Sequence, residues 1–213
     1  MSTIISDRDL LIIEPSLFIG AAAAGTSLLA TTDAGIVGTR LTSASADFVT
    51  QDIDNGHVAV VNGVAVEVVA RIQATELDIS LPRASRDDQM IAPGDGGSFS
   101  LQIISFARLI DQVQISMLRA LGIDPDDPVQ PLDVSAILNL GEVGVIIGLR
   151  TIQHAFETAA ALNPTDASLA ARAAMYRERA AQAMRQSAAV IDTNGDGQAD
   201  ATRRLDVVTF VRG

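Results

Sequence analysis

The sequence has no cysteine among its 213 residues. This absence excludes disulfide bonds, thiolate zinc sites, iron–sulfur clusters and a cysteine nucleophile. Histidine is almost as scarce, because only His57 and His154 occur and they lie far apart in the sequence. A histidine-rich metal site or a histidine-centred catalytic triad would have to gather its other groups from distant positions. The residue inventory therefore argues against an enzyme.

Lysine is absent as well, so all 15 basic residues are arginine, and they face 26 acidic residues. The formal net charge is −11 at pH 7. A chain with this excess of negative charge cannot bind nucleic acid by neutralising phosphates, which excludes a basic DNA-binding protein. Residues 1–165 hold 8 arginines and 20 acidic residues, so the acidity belongs to the first three quarters of the chain. Such a surface suits a wall past which DNA slides without sticking.

Long apolar runs are also missing. The N-terminus lacks the basic region of a secretory signal, and the apolar run at residues 10–13 ends at Glu14-Pro15. Other apolar stretches are interrupted well before the roughly 20 residues that a transmembrane helix needs. We therefore expect a chain that is neither exported nor inserted in a membrane.

The pattern of apolar residues changes near residue 100, and before that point it is typical of β-strands. Asn62-Gly63 is a strong signal for a tight hairpin turn between the β-rich residues 57–61 and 64–72. Asp33-Ala34-Gly35 predicts a further turn, which leads into a strand at residues 36–41. We expect a small antiparallel sheet or barrel over residues 26–82, followed by an exposed loop.

From residue 100 the apolar period becomes helical. One stripe runs from Phe106 to Leu121, and a second runs from Val145 to Leu162. Asp133 is suited to cap a helix over Val134 to Leu140, and Thr165 or Asp166 to begin a last long helix that extends to about residue 189. Because this last helix is rich in alanine, it buries little area by itself and favours contact with neighbouring subunits.

The strongest local motif is the acidic loop at residues 192–200. Oxygen-bearing side chains occupy the first, third, fifth, seventh and ninth positions of an EF-hand-type loop, and Gly197 occupies the sixth. The twelfth position, where a bidentate acid is expected, is Arg203, which lowers the expected affinity. Two interpretations stay open: a modest Ca²⁺ site, or a metal-free turn whose side chains bind the local backbone. The candidate ligands are Asp192, Asn194, Asp196, Gln198 and Asp200.

The layout resembles the head-to-tail adaptor proteins of tailed bacteriophages, a family without a catalytic signature. Three features carry the resemblance: the N-terminal segment with Asp9-Leu10-Leu11 and Glu14-Pro15-Ser16-Leu17-Phe18, the helical block, and the acidic loop before a terminal arm. The resemblance implies an α+β fold, in which a three- to four-helix adaptor-like bundle carries an inserted small antiparallel β module and an extended C-terminal arm. The corresponding segments are residues 1–25, 26–99, 100–190 and 191–213.

The resemblance also implies a function. Copies of the chain would form a homo-oligomeric ring beneath the portal protein in the virion neck, after assembly in the host cytoplasm. The ring would line the DNA channel without sequence-specific binding and would contact the next neck or tail-terminator protein. The arm that docks on the portal would comprise Leu205, Val207, Val208, Phe210, Val211 and Arg212.

An alternative function is a Ca²⁺-dependent surface or adhesion module, because residues 192–200 also resemble dockerin-like loops. A single copy of the loop, the arginine at its twelfth position and the absence of an export signal argue against this alternative.

Overall fold

A computed structural model describes residues 3–124 and 133–206. The chain begins with two short helices, α1 (Asp7–Ile13) and α2 (Leu17–Gly20), and a 3-10 turn at Ala22–Ala24. A capping box starts α1, since the Ser6 amide donates to the Asp9 carboxylate at 2.7 Å.

Six antiparallel strands follow and close into a barrel. The strands are β1 (Thr26–Val37), β2 (Arg40–Thr42), β3 (Val58–Val61), β4 (Val64–Gln73), β5 (Glu76–Ser80) and β6 (Gly96–Ser105). The order around the barrel is β1-β2-β5-β4-β3-β6, and β6 pairs with both β3 and β1. The closing ladder begins with Thr26 opposite Ser105 and ends with Ile36 opposite Gly96.

Aliphatic side chains fill the barrel, and Phe48 and Ile53 from the connection between β2 and β3 join them. Strand β4 is buried on both faces, because Val66 and Val68 lie inside the barrel while Glu67 is buried on its outer side. The barrel therefore has a core of its own and a second covered surface.

The hairpin prediction at Asn62-Gly63 is confirmed, since these residues join β3 to β4 with φ values of 49° and 81°. The turn predicted at Asp33-Ala34-Gly35 is wrong, because these residues lie inside β1. The pairing of β1 with β6 shifts register on both sides of Ala34, so the turn signal marks a bulged part of the strand. The chain reverses instead after Val37, at Gly38 with φ 61°.

Three helices and a small hairpin complete the fold: α3 (Ala107–Ala120), α4 (Leu140–Leu162), α5 (Ala167–Gln186), β7 (Ala188–Ile191) and β8 (Ala201–Arg204). Asp133 precedes a 3-10 turn at Val134–Ala136 and accepts a hydrogen bond from the Ser135 amide at 2.7 Å. The prediction that Asp166 caps the last helix is confirmed, because its carboxylate accepts the Ser168 amide at 2.9 Å.

The second core lies between the helices and the outer face of the barrel. Val58, Ile104 and Phe106 belong to this core, and Phe106 meets Phe18 edge to face at 5.3 Å. Asp7 fixes the same junction, because its carboxylate accepts the Phe106 amide at 2.8 Å. The outer face of the barrel is thus packed directly against the helices.

The predicted fold class is wrong in its architecture. The β part is a closed six-stranded barrel with its own core, and it is not a small module inserted in an adaptor-like helical bundle. Only the mixed α+β composition agrees. Residues 100–105, which the helical period included, form the end of β6, and α3 begins at Ala107. A short apolar run such as Leu101 to Ile104 has no periodicity that separates strand from helix.

Among the helices of the described residues, none is both long and apolar enough to cross a bilayer.

Candidate functional site

The acidic loop connects β7 to β8, and Asp192 organises it. Asp192 accepts hydrogen bonds from the amides of Asn194 at 3.1 Å, Gly195 at 2.7 Å and Gly197 at 2.7 Å. The Gly197 amide contributes most to holding the pKa of Asp192 below its ordinary value. Both glycines have φ of 80°, in the left-handed region that glycine tolerates, so the sequence can turn tightly around this carboxylate.

Three of the other four predicted calcium ligands bind the loop backbone in a similar way. The Asn194 side-chain oxygen accepts the Asp196 amide at 2.9 Å, and Asp196 accepts the Gln198 amide at 2.8 Å. Asp200 accepts the amide and the hydroxyl of Thr193. Over residues 3–124 and 133–206, no three acidic or histidine side chains come together in a way that could hold a metal ion.

Arg203, at the twelfth position of the loop, turns away from it. Its guanidinium donates to the Leu121 carbonyl at the end of α3. The loop is therefore braced against the helical core, and calcium binding stays a prediction.

The predicted docking arm begins inside the molecule. Leu205 is buried in the helical core, and Arg204 forms two 3.0 Å contacts with the Asp206 carboxylate. The remaining predicted arm residues, Val207, Val208, Phe210, Val211 and Arg212, lie outside the described residues.

The N-terminal motif that carries the resemblance is tied to α5. The Tyr176 hydroxyl donates to the Glu14 carboxylate at 2.7 Å, and Arg172 lies 3.7 Å from the same carboxylate. Tyr176 stacks on Phe156 at 6.0 Å. Desolvation opposes ionisation of Glu14, but the hydrogen bonds from Ser16 and Tyr176 together with Arg172 bring its pKa below the ordinary value. The ionised carboxylate is thus part of the contact between α5 and the N-terminal segment.

An apolar groove of about 410 Å³ lies between the N-terminal segment and the first turns of α4. Its walls include Ile4, Ile12 and Ile13 on one side and Leu140 and Val145 on the other. Ile12 is 40% exposed, Leu140 37% and Val145 52%. No local sequence pattern indicates this surface, because it is built by residues more than 100 positions apart.

Glycines on α4 allow the N-terminal segment to approach closely. A Cβ atom at Gly148 would lie 2.7 Å from the Ile13 side chain, and one at Gly144 would lie 3.2 Å from Ile5. At Gly141, by contrast, a Cβ would meet nothing within 4 Å. The repeated glycines on one helix were the sequence signal that could have indicated a close contact here.

A buried ionic cluster joins α1 to the barrel and to the loop after β5. Each carboxylate oxygen of Glu67 accepts from one arginine Nε, one from Arg8 and one from Arg83. Arg8 also donates to the Arg83 carbonyl at 2.9 Å, and Arg83 to the Asp88 carbonyl at 2.6 Å. All three charged side chains are almost fully buried. The sequence signal was the single acid inside the apolar run of β4.

A smaller polar cleft of about 230 Å³ lies between α3 and α4, with Arg150 and His154 in its lining. Arg150 contacts the sulfurs of Met117 at 3.7 Å and Met184 at 4.0 Å, and His154 pairs with Glu157 at 3.1 Å. His57 lies elsewhere, with its ring against the backbone of Asp54. The two histidines are thus held in separate places.

Comparison with protein-family models, with curated proteins and with solved structures finds no match for this chain.

Proposed function

We propose that the protein is a structural subunit of the virion neck of a tailed phage, where copies form a ring beneath the portal and around the DNA channel. The open apolar groove beside α4 carries the proposal, because a neighbouring subunit that covers this groove would remove its exposed apolar side chains from water. The portal and the next neck or tail-terminator protein are the neighbours of the ring, which assembles in the host cytoplasm.

The N-terminal segment supports the phage-specific part of the proposal. Ile12 and Ile13 form part of the groove wall and directly precede the Glu14-Pro15-Ser16-Leu17-Phe18 motif. The motif itself is fixed to α5 through Glu14 and Tyr176. The region that carries the resemblance therefore also shapes the contact surface.

Charge supports a position around DNA. Residues 1–165 carry 20 acidic residues against 8 arginines, which disfavours adhesion of the phosphate backbone. DNA would pass such a ring without sequence-specific binding.

Quantitative mass spectrometry of purified phage-like particles tests the proposal, with the major capsid protein as the internal reference. We expect a fixed copy number on the order of a dozen per particle, as a closed cyclic ring requires. Recovery of the chain only outside the particles would refute the neck assignment.

Calcium binding by residues 192–200 is a separate prediction that follows from the ligand spacing. Isothermal titration with CaCl₂ should show weak binding, because Arg203 replaces the bidentate acid at the twelfth position. The Asp192→Asn variant should lose this heat. Equal heats for both proteins, or none for either, would leave the loop as a metal-free turn.

A further inference from the structure

The groove is an open apolar surface, and the last strand of the chain, β8, ends close to it. β8 runs antiparallel to β7, and Arg204 at its end lies opposite Ala188. The Asn139 side chain donates to the Ala188 carbonyl at 2.8 Å and accepts the Val190 amide at 2.9 Å. Because Asn139 directly precedes Leu140 in the groove wall, the end of β8 lies beside the rim of the groove.

The chain that continues from this point is apolar. Seven residues follow Asp206, and they read Val-Val-Thr-Phe-Val-Arg-Gly. Fully extended, seven residues span at most about 25 Å. Arg212 is the one charged residue of the segment, and Asp9, which Arg86 approaches at 3.8 Å, lies in the lining of the groove. Apolar character and charge thus agree between the segment and the groove.

We propose that residues 207–213 of one copy occupy the apolar groove of a second copy of this chain. The inference rests on the proposed ring, in which each subunit uses one surface to bind the next subunit and a different surface to be bound by the previous one. A donated segment and a receiving groove on the same chain form such a head-to-tail interface, which closes when the rotation between subunits closes. Residues 207–213 then bind between copies of the chain, in place of the portal contact that the resemblance implies.

Two variants test the C-terminal segment and the groove separately. Deletion of residues 207–213 leaves the groove intact, and Val145→Asp leaves the segment intact while it places a charge in the groove. We expect each variant alone to be a monomer of about 22 kDa in size-exclusion chromatography with light scattering, whereas the full chain is oligomeric. A mixture of the two should form a one-to-one complex, because one intact groove and one intact segment remain.

Val37→Asp is the matched control, since Val37 is an exposed apolar residue at the end of β1 and outside the groove. It should leave the oligomer unchanged. Ile12→Asp, on the opposite wall, should repeat the effect of Val145→Asp, so the test holds even if one of the two substitutions disturbs folding. Circular dichroism checks the fold of each variant.

A mixture that stays monomeric would overturn the inference, as would a full chain that is monomeric or a deletion variant that still assembles. Binding of residues 207–213 within their own subunit would give a monomeric full chain, while the two variants would still form a complex when mixed. The particle experiment is independent of these outcomes. A dozen copies per particle with an arm-independent oligomer would reject only the groove assignment, while exchange without particle association would reject only the neck.

Discussion

Individual charges decide how the N-terminus is attached, and Glu67 is the clearest case. Its two carboxylate oxygens contact two buried arginines, Arg8 and Arg83, and its single negative charge offsets one of their two positive charges. Removal of one member from a buried charge cluster leaves the others uncompensated in a poorly solvated place.

We therefore expect Glu67→Gln to lower the free energy of unfolding by about 3 to 5 kcal/mol. Urea denaturation measures the change. Glu76→Gln is the matched control in the same barrel, because its partner Arg40 is 41% exposed at the side chain and exposed pairs contribute at most about 1 kcal/mol. Equal losses for the two variants would contradict this account.

Tyr176 gives a prediction that depends on pH. Because the pKa of Glu14 is lower in the folded protein than its ordinary value, the carboxylate stabilises the fold at neutral pH. This stability is lost as the pH falls below the ordinary glutamate range and through the folded pKa.

Tyr176→Phe removes one donor to Glu14 and should cost about 1 to 2 kcal/mol near pH 7. The difference from the unaltered chain should shrink as the pH falls below the ordinary glutamate pKa and through the lower folded pKa, where Glu14 becomes protonated. Thermal melts across this range measure it, and a difference that does not vary with pH would show that packing, not the charged hydrogen bond, is responsible.

At the scale of elements, the close contact between α1 and α4 depends on a glycine of α4. A Cβ at Gly148 would press on the terminal methyl of Ile13 and require that side chain to shift, whereas Gly141 on the same helix faces open space. We expect Gly148→Leu to destabilise the protein by about 1 to 3 kcal/mol through overpacking.

Gly141→Leu should be neutral or slightly stabilising, because leucine favours the helical backbone over glycine. Both variants can be compared by chemical denaturation. A loss at position 141 that matches the loss at position 148 would mean that the helix backbone, and not the approach of α1, requires glycine.

Elements set by local chemistry were predictable from the sequence. Asn62-Gly63 forms its hairpin because the turn and its partners are neighbours in the chain, and Asp166 caps α5 through an amide two residues away. The pairing of Thr26 with Ser105 was not predictable in the same way, since it joins residues that no local pattern relates. The groove and the Glu67 cluster were missed for the same reason.

The whole molecule has two cores with one shared boundary at Phe106. We expect Phe106→Ala to cost about 3 to 5 kcal/mol, as large aromatic truncations in cores do. Because the residue joins β6 to α3, the loss should reach both parts of the fold.

Native-state hydrogen exchange measures this reach. Amides of β3 and of α4 should lose protection together in Phe106→Ala. Val68→Ala is the control, because it changes only the barrel interior and should not alter how cooperatively the barrel and the helices open. Separate loss of protection in the barrel alone would show that the two cores open independently.

Closure of the barrel by β6 also sets an order of events during synthesis. β6 is the neighbour of both β1 and β3, so until it leaves the ribosome each of those strands has an unpaired edge. Thr26 and its partner Ser105 lie 79 positions apart, so at elongation rates of roughly 5 to 20 residues per second the edge of β1 stays open for several seconds. A nascent chain halted before residue 96 is therefore an open sheet that can pair with other chains, and the risk of aggregation ends only when the last strand of the barrel is made.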